Sequence, residues 1–293
     1  GEDVVFLARG AQLEALRRGP LVIESEGKPS VEVRVRAVDA QEFRKEKPFD
    51  LVLWCVKAYQ NEEAAEGLSF LVSDRTWWLP LQNGVETEDF LLRKFPKARV
   101  LGGTCYVSAL LESPGKVRHY ASGIITMGDW GLFSPEETAR VLEDIRQVFT
   151  KAGITAWTSK DIRADKWKKL IWNASLNSLS AISGASATEL LAQEPARELV
   201  RKAMYEVVDV ARAHGISLSH ADADKHITTT MALPDVRTSM RFDRERGAPV
   251  EGDALCGVVV RLGKEKGAPT PTLAVFKTLL DLYEEKRRAI SRN

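Results

Sequence analysis

The stretch Phe49-Asp-Leu-Val-Leu-Trp-Cys-Val-Lys57 decides the fold class, because its apolar residues fall at both odd and even positions. A strand that is apolar on both faces is typical of a parallel sheet covered by helices on each side. Short apolar runs alternate with helix-like segments through the first half of the chain, which is the pattern of βα units. We expect strands near residues 3–8, 31–38, 50–56 and 76–82, and helices near residues 11–18, 60–70 and 86–94.

The character of the sequence changes after residue 100. Residues 100–130 are rich in β-formers, and Pro114-Gly115 marks a turn, so we predict an antiparallel addition to the sheet edge. Ser134-Pro135-Glu136-Glu137 predicts a helix start, because the hydroxyl can cap free N–H groups and proline suits the first turn. After a short strand at residues 154–157 the pattern is wholly helical, with helices expected near residues 160–182, 187–213, 250–265 and 271–288.

The fold prediction is therefore an α/β domain over residues 1–157 followed by an all-α domain over residues 158–293. This plan is common among dehydrogenases. Because one architecture hosts many activities, the chemistry has to be argued from individual side chains.

Composition excludes several classes of protein. Lysine and arginine number 42 against 41 aspartates and glutamates, so neither nucleic acid nor an anionic membrane is an expected partner. No apolar run reaches the length of a membrane span. Three scattered cysteines, without a CxxC pair, argue against a disulfide framework, and we expect a reducing, cytoplasmic location.

Lys169, Asn173 and Asn177 stand four residues apart in a predicted helix, so they share one face of it. That face is polar where burial is expected. A bound polar substrate could satisfy the amides and the ammonium, which are costly to bury alone. In the alternative interpretation Lys169 is solvated and the asparagines pair with neighbouring backbone.

Glu251 opens another predicted helix and lies on its apolar side, because Leu255, Val258 and Leu262 follow at +4, +7 and +11. A desolvated carboxylate there would gain from an ammonium partner. Alternatively, Glu251 and Asp253 only favour the positive end of the helix.

Three polar side chains follow predicted strands: Arg9, Lys57 and Asn83. The carboxyl ends of parallel strands are where α/β sheets bind ligands. Arg9 stands where NAD-binding folds carry an acid for the ribose hydroxyl, and arginine there suits the 2′-phosphate of NADP. The sequence therefore favours NADPH/NADP as cofactor.

The run His220-Ala-Asp222-Ala-Asp224-Lys-His226 superficially resembles a metal site. Its period-two spacing suits a strand, but its surroundings are typical of helix or loop, and no established ligand spacing is present. We predict no metal.

The chain resembles the ketopantoate reductase (2-dehydropantoate 2-reductase) family over nearly its whole length. The resemblance is spread over several short motifs rather than one. They are Phe6-Leu-Ala-Arg9-Gly10, Val56-Lys57-Ala58, Leu81-Gln-Asn83-Gly84, Trp167-Lys-Lys169-Leu170 with Asn173 and Asn177, and Thr238-Ser239-Met240 with Asp243, followed by Glu251 twelve residues after Ser239.

The resemblance implies a Rossmann-type NADP-binding domain, a helical substrate-binding and catalytic domain, and reduction of 2-dehydropantoate to pantoate in pantothenate and coenzyme A biosynthesis. It implies that Lys169 is the general acid and that Glu251 binds the substrate hydroxyl and helps to hold Lys169. Arg9, Lys57 and Asn83 would contact the cofactor, Ser239 the substrate carboxylate, and Asn83, Asn173 and Asn177 would orient substrate and lysine.

Two features depart from the family pattern. Cys256 precedes Gly257 where the family usually has asparagine, and the first strand and the GxGxxG turn have no counterpart in the sequence. Because the usual strand order is 3-2-1-4-5-6, we expect a gap at the middle of the sheet, with the missing residues preceding Gly1.

Two other functions stay open. One is a paralogous NADPH-dependent reductase of another 2-oxo or 3-oxo acid, and the other is a non-catalytic NADP-binding protein. In the leading interpretation the partner is a small 2-oxo acid, and the helical domain is compatible with a homodimer.

Overall fold

The computed structural model describes residues 1–46 and 48–291, without the side chains of Ser122 and Ser291. The chain forms two compact units, each assembled from several segments. One unit contains residues Gly1–Trp54, Glu63–Leu81 and Leu91–Lys160, and the other contains Cys55–Glu62, Gln82–Phe90 and the chain from Asp161 onward. The first unit is α/β and the second is helical, which confirms the predicted fold class.

The strands of the α/β unit form three ladders. Strand β1 pairs with β4, and β5, β6 and β7 pair in that order, all in parallel. The third ladder runs β10-β9-β2-β3, with β8 antiparallel to β9. The strands are β1 (Val5–Leu7), β2 (Leu21–Ser25), β3 (Val31–Val33), β4 (Arg36–Val38), β5 (Leu51–Trp54), β6 (Trp77–Pro80), β7 (Arg99–Val100), β8 (Gly102–Ser113), β9 (Lys116–Gly128) and β10 (Thr155–Thr158).

The parallel strands form two separate ladders, because in the described part of the chain no pairing joins β1 or β4 to β5, β6 or β7. The deciding stretch 49–57 does form β5, but Leu53 is 44% exposed. The strand buried on both faces is β6, where Trp78 and Leu79 are 0% exposed. The gap expected at the middle of the sheet stays a prediction.

The hairpin predicted after residue 100 is present and is longer than expected. Strands β8 and β9 turn at Pro114-Gly115, where Gly115 has φ of +78°. One edge of β9 carries β8, while its other edge pairs first with β2 and then with β10. The hairpin therefore organises a sheet of its own rather than adding one edge.

Several predicted elements were wrong in detail. The expected strand 31–38 is divided between two sheets, because β3 pairs with β2 and β4 pairs with β1. Strand β2 was missed, although an apolar run follows Gly19-Pro20. The expected helix 60–70 is shorter: an α-helix covers only Asn61–Ala65, and it ends before Gly67, whose φ is +71°.

The helical unit contains more helices than the sequence predicted. The expected helix 187–213 is broken at Gln193, and helices over residues 220–231 and 239–245 were not foreseen. The helices of the chain are α1 (Gly10–Arg18), α2 (Ala40–Phe43), α3 (Asn61–Ala65), α4 (Thr87–Lys94), α5 (Pro135–Lys151), α6 (Ile162–Trp172), α7 (Ser178–Ser183), α8 (Ala187–Ala192), α9 (Glu194–Ala213), α10 (His220–Met231), α11 (Ser239–Glu245), α12 (Val258–Lys266) and α13 (Pro271–Ser291), with 3₁₀ turns at Ala58–Gln60 and Ser69–Leu71 and π-helical turns at Asn173–Asn177 and Asp253–Gly257.

Helix α9 lies at the centre of the helical core. Its residues Val207, Val208 and Val210 are fully buried and pack with side chains from helices α6, α7 and α12. Among the described residues, no helix combines the length and the apolar character needed to cross a membrane.

Candidate active site

The helix that carries Lys169 begins at Asp161, whose carboxylate accepts a hydrogen bond from the amide of Ala164. It continues from α6 through the π-helical turn Asn173–Asn177 into α7, with α-helical backbone angles at both junctions. Asn173 and Asn177 are 6% and 2% exposed. Of the polar residues predicted to share a face of this helix, the two asparagines are thus buried and Lys169 is partly buried, so each amide needs a partner within the helical unit.

Asn83 provides that partner for two of them. Its Oδ1 accepts hydrogen bonds from Lys169 Nζ at 3.0 Å and from Asn173 Nδ2 at 3.3 Å. Its Nδ2 donates to Glu251 Oε2 at 3.4 Å. A lysine ammonium can only donate, so this orientation of the Asn83 amide is the one that satisfies all three neighbours.

Glu251 is 6% exposed and belongs to the second part of the site. Its Oε1 accepts from the backbone N–H of Ala58 at 3.2 Å, and Lys57 Nζ lies 3.4 Å from its Oε2. The same ammonium contacts Asp243 Oδ2 at 2.8 Å. The ammonium that compensates Glu251 is therefore that of Lys57, and the hydrogen-bonded path from Glu251 to Lys169 passes through Asn83.

Opposing effects act on Lys57. Burial lowers the pKa of its ammonium, but the carboxylates of Glu251 and Asp243 outweigh this and raise the pKa above its ordinary 10.5. Lys57 is consequently a fixed cation at neutral pH. Arg246 also pairs with Asp243, at 2.9 Å.

Asn177 connects the π-helical turn to helix α11. Its Oδ1 accepts from the backbone N–H of Met240 at 3.0 Å, and its Nδ2 donates to Ser239 Oγ at 3.3 Å. Thr238 caps α11 by accepting from the amide of Arg241. Ser239 is exposed, so its hydroxyl stands at the surface of the helical unit next to the buried amide of Asn177.

The helical unit thus brings together seven of the eight residues selected from sequence, and it does so through the two short segments 55–62 and 82–90. These residues are Lys57, Asn83, Lys169, Asn173, Asn177, Ser239 and Glu251. Asp243, which the resemblance placed in the serine segment without a role of its own, is 6% exposed and pairs with Lys57. The contact with Lys57, which is distant in sequence, has no local signal.

Arg9 belongs to the α/β unit. It precedes helix α1, and its guanidinium makes two hydrogen bonds with the two carboxylate oxygens of Glu63. The side chain is 63% exposed. The guanidinium thus presents the planar fork with which arginine binds two oxygens of one anion.

The histidine and aspartate run at residues 220–226 lies on helix α10, not on a strand. His220 contacts Asp209, Asp224 contacts Tyr205, and His226 donates to the backbone carbonyl of Lys168. Among the described residues, no cluster of three or more histidine, cysteine or acidic side chains is arranged to hold a metal ion.

Cys256 lies in the second π-helical turn. Its thiol is buried, donates to the carbonyl of Gly252 at 3.3 Å, and has a pKa that burial raises to about 11. It is therefore a neutral packing residue in this unit.

Two family models match the chain. One, described as ketopantoate reductase PanE/ApbA, matches residues 1–131, and the other, described as ketopantoate reductase PanE/ApbA C terminal, matches residues 161–284. The two models match the α/β part and the helical part of the chain, and the family that they describe is one of oxidoreductases. The chain belongs to the ketopantoate reductase family.

Individual relatives agree with the family models. The 2-dehydropantoate 2-reductase of Archaeoglobus fulgidus is 31% identical over 283 residues, covering 96% of this chain and 89% of the relative. That of Mesorhizobium japonicum is 28% identical over 298 residues, covering 95% and 89%. The crystal structure of a PanE/ApbA family ketopantoate reductase from Ralstonia eutropha JMP134 has a TM-score of 0.84 at 31% identity, covering 98% of this chain and 92% of that one.

Proposed function

We propose that the protein reduces the 2-oxo group of 2-dehydropantoate to the hydroxyl of pantoate, with NADPH as the hydride donor and Lys169 as the general acid. The observation that carries the proposal is the hydrogen-bonded path Lys169–Asn83–Glu251. The names of the curated relatives support the choice of substrate.

Lys169 has the chemistry that carbonyl reduction requires. Hydride addition to a carbonyl carbon builds negative charge on the oxygen, and a placed ammonium stabilises that charge and then supplies the proton. Asn83 fixes the direction of the ammonium, because its Oδ1 accepts a hydrogen bond from Lys169 Nζ. Asn173 holds Asn83 in turn, by donating from its Nδ2 to the same Oδ1.

The charges named at the site suit an anionic substrate. Three cationic side chains, Lys57, Lys169 and Arg246, belong to the same hydrogen-bonded cluster as Asp243 and Glu251, and cations attract an anionic substrate. We assign Ser239, with Asn177 behind it, to the substrate carboxylate and Glu251 to a substrate hydroxyl. The Glu251 carboxylate can only accept hydrogen bonds, so it favours a substrate that presents a donor, such as a hydroxyl, at that position.

When bound, NADPH would supply the hydride. We assign Arg9 to its 2′-phosphate, and Lys57 and Asn83 to contacts with the cofactor. Because Lys57 stays protonated through the neutral range, its titration should not contribute to the pH dependence of turnover between about pH 6 and 9.

The test compares Lys169→Ala with Lys168→Ala. Lys168 is the next residue on the same helix and forms an ion pair with Asp222 at 3.4 Å, so it controls for loss of a charge from α6. We expect Lys169→Ala to lower kcat by about 10²–10⁴-fold, the usual worth of a positioned acid, and Lys168→Ala to leave kcat near wild type. The measurement is the loss of nicotinamide absorbance with NADPH and 2-dehydropantoate.

Three results would contradict the proposal. Full turnover in Lys169→Ala would remove its role as the acid. A wild-type enzyme that ignores 2-dehydropantoate but reduces another 2-oxo or 3-oxo acid, as judged by kcat/KM over a panel, would replace the substrate. NADPH binding without turnover of any oxo acid would favour a non-catalytic protein.

A further inference from the structure

An ion pair between Lys166 and Glu88 lies in the interior of the helical unit. The side chains are 1% and 0% exposed, and Lys166 Nζ lies 2.6 Å from Glu88 Oε1. Two charges removed from water carry a large desolvation penalty, and replacing such a pair with apolar residues is often neutral or stabilising. Stability alone therefore does not account for this pair.

The pair joins the two segments that carry the proposed acid and its hydrogen-bond acceptor. Lys166 lies three residues before Lys169 on α6, and Glu88 lies five residues after Asn83. Lys169 Nζ reaches Asn83 Oδ1 at 3.0 Å. The same two segments are thus connected twice, once at the site and once in the interior.

Apolar packing also holds segment 82–90 against the helices, but apolar contacts are less directional than the Lys166–Glu88 ion pair. Val85 is buried in the helical core. Gly84 lies so close to the π-helical turn 253–257 that an added Cβ would come within 2.8 Å of the carbonyl oxygen of Ala254. These contacts bring the segment close to the unit, whereas a short charged hydrogen bond fixes its position along α6.

We propose that Lys166 and Glu88 are positioning residues that hold Asn83 in register with Lys169. This inference rests on the proposed function of Lys169 and adds a role for two residues that do not belong to the site itself. Neither residue touches the reacting atoms; each acts by fixing the hydrogen bond between Lys169 and Asn83. Displacements of about 1 Å at such a hydrogen bond can cost a large part of the rate.

The sequence contains part of this signal. Ile162, Lys166 and Leu170 are spaced by four and so share the buried stripe of α6, which places an ammonium among apolar side chains. A lysine there needs a carboxylate partner. Which of the 41 acidic residues supplies it depends on tertiary packing and could not be predicted.

The test uses the double variant Lys166→Met/Glu88→Leu, which removes both charges and keeps apolar volume. We expect a Tm close to wild type, a kcat lower by about tenfold or more, and an unchanged KM for NADPH. The single variant Lys166→Arg keeps a cation beside Glu88 and should retain most of the wild-type kcat. A stable double variant with wild-type kcat would show that the pair is only structural.

A second ion pair provides a matched control. Arg261 and Glu86 also connect segment 82–90 to the helical unit, at 2.5 Å, but their side chains are 51% and 39% exposed. Arg261→Ala/Glu86→Ala should leave kcat within about twofold of wild type, because exposed pairs contribute little. If the buried double variant does not fold, Lys166→Gln/Glu88→Gln, which removes both charges and keeps polar groups that can hydrogen-bond to each other, takes its place with the same expected loss of kcat.

A readout independent of turnover separates this inference from the proposed function. Competitive acetylation of Lys169, followed by peptide mass spectrometry, measures how firmly its amine is held. We expect Lys169 to react at least about threefold faster in the buried double variant than in wild type, and Lys168 to react equally in both. An inactive wild type would overturn the proposed function alone, whereas equal reactivity of Lys169 would overturn the positioning role.

Discussion

At the scale of single residues, Asn83 determines how the other side chains can act. Its carbonyl oxygen faces Lys169 and Asn173, and its amide group faces Glu251. The helical spacing of Lys169, Asn173 and Asn177 could be predicted from sequence, because periodicity is local. The contact from Lys169 to Asn83, 86 residues away, is set by packing and has no local signal.

The residue pair Arg9 and Glu63 yields a prediction about the cofactor. The Glu63 carboxylate occupies the same guanidinium that would bind the 2′-phosphate, so the two anions compete. We expect Glu63→Gln to strengthen NADPH binding by about threefold to tenfold and to leave NADH binding unchanged, as measured by calorimetric titration at constant salt.

The control is Glu66→Gln, which removes one charge from an exposed residue three positions after Glu63. It should change neither the NADPH affinity nor the NADH affinity. Arg9→Ala should weaken NADPH binding and abolish the effect of Glu63→Gln. Equal NADPH affinity in wild type and Glu63→Gln would show that Glu63 does not compete with the phosphate.

At the scale of elements, the short segment 82–90 contributes as much to the site as the long helices do, because it carries Asn83. Its beginning at the end of a buried strand was visible in the sequence, and so was the polar face of the helix opposite it. Helices α10 and α11 were missed, although Ser219 and Asp222 form a capping box and Thr238 caps α11. Short helices of this kind depend on caps and packing more than on a long apolar period.

Gly84 tests how closely this segment must approach its neighbour. Gly84 and Gly215 have φ of +90° and +80°, so alanine is conformationally unfavourable at both. An added Cβ meets the Ala254 carbonyl oxygen at Gly84 and finds nothing within 4 Å at Gly215. We expect Gly215→Ala to cost about 1 kcal/mol and Gly84→Ala about 1–3 kcal/mol more, together with a lower kcat.

The free energy of unfolding comes from denaturant titration, and kcat comes from the nicotinamide assay. Gly215→Ala should keep wild-type kcat, because Gly215 lies beyond the end of α9 and away from the residues of the site. Equal costs for both variants would mean that Ala254 yields to the added methyl group and that the approach is not tight.

At the scale of the whole molecule, the two units do not follow a single cut in the chain. Residues 55–62 and 82–90 belong with the helical unit, although they lie in the half of the sequence predicted to be α/β. The fold class could be predicted, since alternating strands and helices followed by helices alone leave few arrangements. The pairing of β3 and β4 with different sheets could not be predicted, because a strand has the same alternation of side chains whichever sheet it joins.

The acid stability of the molecule provides a further prediction, through His226. Burial, with Lys168 and Lys225 nearby, lowers the pKa of this histidine below its ordinary 6.5, although Asp222 and the hydrogen bond to the Lys168 carbonyl act in the opposite direction. The unfolded chain therefore takes up this proton first as the pH falls below about 6.5, and the folded state loses stability there.

His226→Gln keeps a donor for the Lys168 carbonyl but does not titrate. We expect its Tm to fall less than that of wild type between about pH 7 and pH 5, as followed by circular dichroism. Parallel Tm curves for the two proteins would show that His226 does not contribute to acid unfolding.

The π-helical turn Asn173–Asn177 also affects how this chain should be aligned with its relatives. A π-helical turn holds one residue more than an α-helical turn, because its hydrogen bonds run from i to i+5. A relative with one residue fewer at these positions can therefore form a regular α-helical turn and keep the rest of the helix facing the same way, toward the partner that Ser239 provides here at 3.3 Å from Asn177. Two sequences that differ by one residue within this turn can consequently build the same site, and an alignment gap there should not be taken as loss of the site.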